Sequence, residues 1–138
     1  LIEQHVELLP GVQKWLRWAR KEGYRQVVAS SGEMANIVAI LSAFEISNYF
    51  DTVVSGAFLP QSKPDPAVFL QAAASVGADP NESIVLEDGL VGVEAAHSAG
   101  IKCIAVTTTH PAEELSDADV VIDGLNELSE EILNRLLS

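Results

Sequence analysis

Cysteine is almost missing: the 138-residue chain has one, Cys103. A single thiol excludes an internal disulfide and fits a reducing cytosol, so the expected location is cytoplasmic. Cys103 stands in an apolar, strand-like run, where a buried and inert thiol is expected rather than a nucleophile. Basic residues are scarce as well. Eight Lys and Arg against 20 Asp and Glu give a formal net charge of −12. That balance argues against nucleic acid or an anionic membrane as partner, because both require clustered positive charge. A phosphorylated small molecule remains admissible, since one Lys and a metal ion reverse the sign locally. No apolar run approaches the ~20 residues of a membrane span. The opening residues, Leu1-Ile2-Glu3-Gln4-His5, lack an initiator Met and the basic and apolar regions of a signal peptide. A piece of a longer chain is the expectation. His5, His97 and His110 share no ligand spacing; His97 is read as helix surface.

What is present is the material of one domain. Apolar residues make up 48% of the chain, and a chain of this length buries roughly two-thirds of its unfolded surface. Pro10-Gly11 opens a helix whose apolar positions Val12, Trp15, Leu16 and Ala19 follow the helical period. Gly23 closes it after Arg17, Arg20 and Lys21, which suit its C-terminal dipole. Trp15 is expected in the core and Trp18 partly covered at the surface. Strands are predicted over Gln26–Ala29, Thr52–Ser55, Ile84–Leu86, Ile101–Val106 and Asp119–Ile122. Helices are predicted over Glu33–Phe44, from Pro66 to about Val76, from the glycines after Asp88 to Ala99, and over Leu125–Leu137. Strands alternating with helices, with no hairpin dipeptide between them, imply an α/β fold with a doubly wound parallel sheet.

Three stretches carry chemistry. The run Ile84–Leu86 stops on adjacent carboxylates, Glu87 and Asp88, followed by Gly89, Gly92 and a small-residue helix. Two neighbouring acids at the end of a buried strand are costly unless a cation or donors meet them, and ligands bind at the carboxyl ends of strands in such sheets. Glu87 and Asp88 therefore read as hard oxygen ligands for Mg²⁺. The alternative is a plain strand-to-helix turn in which Asp88 caps the next helix. Ser30-Ser31-Gly32 ends another strand before a helix, presenting hydroxyls and free N–H groups together, as phosphate-gripping loops do; the alternative is that Ser31 only caps that helix. Lys63-Pro64-Asp65-Pro66 holds a Lys between a loop and a helix start, where it is either aimed inward or one more solvated Lys. In a parallel sheet all three loops open on one edge, and a hydroxyl, an ammonium and an acid pair around one crevice form a phosphate-plus-Mg²⁺ site.

These residues resemble the core domain of the haloacid dehalogenase superfamily, in the branch containing β-phosphoglucomutase and phosphoglycolate phosphatase. Leu8-Leu9-Pro10-Gly11-Val12 is similar to the segment that re-enters the core after the family's helical cap. Val28-Ala29-Ser30-Ser31-Gly32, Lys63-Pro64-Asp65-Pro66 and Glu87-Asp88-Gly89 with Ala95-Ala96 resemble, in order, the second, third and fourth family motifs. The resemblance implies a Rossmann-like core in which Ser30 and the Ser31 amide hold a phosphoryl group. It also implies that Lys63 is the catalytic lysine balancing charge, and that Glu87 and Asp88 bind Mg²⁺. It further implies a Mg²⁺-dependent phosphatase or sugar-phosphate mutase acting on a small phosphorylated metabolite through an aspartyl-phosphate.

One motif is missing. The family's nucleophile lies in an Asp-x-Asp-x-Thr motif ending its first strand, and the nearest sequence here, Asp117-Ala118-Asp119, precedes a strand near the other end of the chain. Residues 1–138 therefore read as the C-terminal portion of a core lacking its first strand and cap, needing its own N-terminal segment to complete the sheet and inactive alone. Two other classes stay open. A receiver-type phospho-acceptor module uses similar residues, but with acids first and Lys last. A catalytically inactive binding domain of the same fold would also lack the two aspartates.

Overall fold

The computed structural model describes residues 10–138; His5, Leu8 and Leu9 lie outside the described residues. The first helix, α1 (Val12–Lys21), begins after Gly11 in the left-handed region (φ 92°) and ends before Gly23 (φ 85°). The rest alternates as expected: β1 (Val27–Ser30), α2 (Met34–Ala43), β2 (Thr52–Ser55), α3 (Ala67–Ser75), β3 (Ile84–Glu87), α4 (Leu90–Ser98), β4 (Lys102–Val106), β5 (Val120–Ile122) and α5 (Glu130–Leu137). No helix among the described residues is long and apolar enough to cross a membrane.

Every strand pairing among the described residues is parallel, but the pairings fall into two sets. β1 pairs with β2, and β3-β4-β5 form a second group. β1 and β3 do not pair; between them opens an apolar cleft of about 690 Å³ lined by Val27, Val28, Val85 and Leu86 among others. Leu86 is 49% exposed, unusual for a strand-centre leucine; among the described residues β3 is paired on one side only, with β4.

Strand alternation distributes the core to both faces. Cys103 and Ala105 pack with Val54, Val68, Phe69, Ala95 and Ala96 under α3 and α4. Ile104 and Val106 point the other way, onto Ile122, Leu125 and Leu133, and α2 covers Val28 and Val53 through Ile37 and Leu41. Helices on both faces make the doubly wound α/β arrangement.

Two expectations are corrected. The terminal helix is shorter than Leu125–Leu137: Leu125–Glu127 is a 3-10 turn, and α5 starts at Glu130 with the Ser129 side chain accepting the Ile132 N–H. Trp15 is half-buried like Trp18 rather than enclosed, because it borders the open cleft; its indole N–H donates to the Leu125 carbonyl (3.2 Å) and its ring meets Trp18 edge-on.

Candidate functional site

Ser30 is the last residue of β1 and Glu87 the last of β3, so both sit where parallel strands release the chain into loops. Lys63 lies between, on the connection from β2 to α3, next to a cis Lys63–Pro64 bond. The Lys63 Nζ donates to Glu87 Oε2 at 3.1 Å, and the two side chains are only 12% and 14% exposed. This pair spans the gap between the two strand groups at their carboxyl edge. The solvated-lysine alternative is therefore not realised.

Glu87 is held on all sides. Its Oε1 accepts the N–H of Asp88 (3.1 Å) and of Gly89 (3.2 Å), and a Cβ at Gly92 would fall on its carboxyl group. An ion pair this enclosed is weak evidence for stability, since the cost of desolvating both charges roughly offsets their attraction. Breaking it by removing one partner is a different matter, costing about 3–5 kcal/mol. A function that needs an ammonium fixed at this edge accounts better for the pair than stability does.

Asp88 is exposed, and no hydrogen bond or ion pair reaches its carboxylate from the described residues. Its backbone carbonyl accepts the Thr109 hydroxyl at 3.0 Å, which joins the loop after β4 to the loop after β3. Asp88 does not cap the following helix: Gly89 holds the N-cap position of α4, with no side-chain cap. Ser31 does not cap α2 either, where Glu33 is the N-cap residue and again no side chain bonds back. Ser30 Oγ instead accepts the Gly32 N–H at 3.1 Å, keeping its own proton free to donate, and Ser31 is exposed. Both capping alternatives are thus overturned, and the reason is the same in each case. The side chain that could cap turns away, and a neighbouring residue takes up the loop amides.

Among the described residues no three His, Cys, Asp or Glu side chains gather as a metal cluster. The donor set at this edge is the adjacent pair Glu87–Asp88, with Asp88 the freer carboxylate. Mg²⁺ is commonly held by one or two carboxylates together with substrate phosphate and water, and two adjacent acids, one of them exposed and unengaged by the described residues, fit that ion.

One contributor was not legible in the sequence. The Phe69 ring lies under Lys63, with Nζ 4.9 Å from its centroid, and Phe69 itself is buried in the core. A cation over an aromatic face gains about 0.5–2 kcal/mol. Its only sequence signal is an aromatic residue in the first turn of the helix that follows the lysine loop. Cys103 takes no part: burial first, then the charges of Glu87 and Asp119, push its thiol up to about 12. The Asp117–Asp119 segment is also elsewhere, since Asp119 accepts the Cys103 N–H (2.8 Å) at the amino ends of β4 and β5.

A sequence model described as haloacid dehalogenase-like hydrolase matches residues 1–106. The chain is 34% identical over 122 residues to phosphoglycolate phosphatase of Pseudomonas putida, covering 86% of this chain and 45% of that protein. It is 33% identical over 135 residues to hexitol phosphatase B of Escherichia coli, covering 94% of this chain and 59% of that protein. The β-phosphoglucomutase structure from Clostridium difficile superposes with a TM-score of 0.88 at 24% identity, covering 99% of this chain and 60% of that one; at that identity it speaks for the fold. The chain thus spans about half the length of the curated relatives it matches. With its motifs in family order on a parallel α/β core, the chain belongs to the haloacid dehalogenase-like hydrolase family.

Proposed function

We propose that this chain is the C-terminal part of the core domain of a Mg²⁺-dependent phosphoryl-transfer enzyme, a phosphatase or sugar-phosphate mutase acting on a small phosphorylated metabolite. The observation that carries this reading is the largely enclosed Lys63–Glu87 pair, which fixes an ammonium at the carboxyl edge of the sheet beside Asp88. The names of the relatives, phosphoglycolate phosphatase and hexitol phosphatase B, support a small phosphorylated substrate.

In this reading the family's first strand, contributed from upstream, fills the cleft between β1 and β3 and delivers a nucleophilic Asp to the same edge. The cap that selects the substrate lies upstream as well, and the chain by itself turns nothing over. The Ser30 hydroxyl and the open amides at the start of α2 bind the phosphoryl oxygens. Lys63 stabilises the charge that accumulates on them, and by analogy with other preorganised donors its removal costs ~10²–10³ in rate. Asp88, with Glu87 beside it, would hold Mg²⁺, which when bound neutralises phosphate charge and orients the group for attack by the carboxylate. Glu87, with both oxygens already engaged, acts mainly by holding Lys63 in place.

The test is Mg²⁺-dependent hydrolysis of a generic aryl phosphate by the full-length protein. Asp88→Ala is expected to abolish it; undiminished activity in that variant refutes the metal assignment. A wild-type protein without turnover, together with an upstream segment lacking the two aspartates, would favour the inactive binding domain instead.

A further inference from the structure

Ser55 is the one polar side chain recorded as buried among the described residues, at 6% exposure, and none of the three motifs includes it. It ends β2 directly opposite Ser30 in the parallel register. Its hydroxyl donates to the Gly32 carbonyl at 2.5 Å and accepts the Ala57 N–H at 3.3 Å. The next residue, Gly56, carries its backbone against the same loop: a Cβ there would lie 3.3 Å from the Ser30 carbonyl oxygen and 3.4 Å from Ser31 Cα. The end of β2 is therefore shaped to receive the loop after β1.

We propose that Ser55 is the positioning residue of the phosphate-gripping loop Ser30–Gly32, an inference that rests on the function proposed above. A trans peptide is planar, with its carbonyl and its N–H on opposite sides. When the Ser55 hydroxyl draws the Gly32 carbonyl down onto β2, the Glu33 N–H is turned the other way, away from β2. That amide stands at the start of α2, where no side chain caps the helix. Ser30 Oγ fixes the preceding amide by accepting the Gly32 N–H. The two serines thus set two successive peptide planes, Ser30 through Gly32 nitrogen and Ser55 through Gly32 oxygen. Only Ser30 would touch the phosphoryl group; Ser55 acts from below, through the backbone. A buried hydroxyl with both its donor and one acceptor position in use is costly to replace, because the Gly32 carbonyl and the Ala57 N–H each lose a part-buried bond.

The experiment uses the full-length protein, with inorganic phosphate as competitive inhibitor of aryl phosphate hydrolysis. Ser55→Ala is expected to weaken phosphate inhibition about tenfold, the size of one well-placed hydrogen bond, with a matching fall in kcat/KM. Ser55→Thr, which keeps the hydroxyl, is expected to restore most of both. Ser55→Cys fills the same space with a poor donor and should resemble Ser55→Ala, which keeps the test open if the alanine variant folds badly. Wild-type phosphate inhibition in Ser55→Ala or Ser55→Cys, or no recovery in a folded Ser55→Thr, overturns the proposal. Loss of stability with phosphate inhibition unchanged also overturns it, by showing a purely structural role. Failure of the underlying function shows up differently, as a wild-type protein that neither hydrolyses the aryl phosphate nor binds phosphate.

Discussion

Gly92 lies in the first turn of α4 so close to Glu87 that a single added carbon would overlap the glutamate carboxyl group. This contact explains a glycine inside a helix, where alanine would otherwise be favoured by about 1 kcal/mol. The close approach lets the Glu87 carboxylate lie over the helix start while it holds Lys63 and the Asp88 and Gly89 amides.

The sign of Gly92→Ala therefore decides how tightly Glu87 is held. If the three bonds pin it, the added methyl overpacks the site, at a cost of about 1–3 kcal/mol that outweighs the gain in helix propensity. Denaturant unfolding of the full-length variant is expected to show a net loss of about 1–2 kcal/mol, with weakened phosphate binding. A gain in stability would show that the glutamate swings aside freely.

The Lys63–Glu87 pair should behave as a unit. Glu87→Gln strands a part-buried ammonium and Lys63→Met a part-buried carboxylate, each at a cost of up to about 3–5 kcal/mol, the figure for a fully buried pair. The double variant leaves neither charge unpaired, so its loss should fall short of the sum by about 1–3 kcal/mol. Additive losses in the same denaturation series would mean that the two groups do not interact in solution.

Phe69→Leu tests the ring under Lys63. The substitution keeps an apolar residue in the core but removes the aromatic face, and part of its cost, about 0.5–2 kcal/mol, belongs to the cation. Repeated in a Lys63→Met background, the substitution should cost less by that amount. An equal cost in both backgrounds assigns Phe69 to packing alone.

Cys103 sets an alkaline limit. An unfolded thiol ionises near ~8.5, whereas the folded one is held up to about 12 by burial and by the Glu87 and Asp119 charges. Between those values the unfolded chain binds fewer protons than the folded one, so stability falls as pH rises. Its contribution is fully present below about pH 8.5 and is lost as pH climbs towards the folded value. Unfolding at stepped pH should show this decline and a Cys103→Ala variant should lack it; thiol reagents should label the wild type only once denaturant is added. A thiol that reacts in the native protein contradicts the burial.

Much of this arrangement was legible because strands announce themselves by composition and stop at chemistry. β2 was read to the residue, Thr52–Ser55, since two valines between polar turns leave little choice. Ser30, Glu87 and Asp88 stood out because polar groups at the end of an apolar run demand a partner. The start of α5 was missed because Leu125, Leu128, Leu133 and Leu136 carry apolar spacing straight through a break. The better signal was local: Ser129 before two glutamates is a helix start, and the structure uses it so. Ser55 and Phe69 could not be found by pattern at all. Each acts through a contact with a residue distant in sequence or on another element, which only the folded chain reveals.

The central claim is that loops after β1, β2 and β3 form one phosphate site. Titrating the full-length protein with inorganic phosphate in the presence of Mg²⁺, while following backbone amide shifts, tests it most directly. The account predicts that Ser31–Gly32, Lys63 and Asp88–Gly89 respond together with a single dissociation constant. Responses confined to one loop, or separate constants for the three, would contradict it.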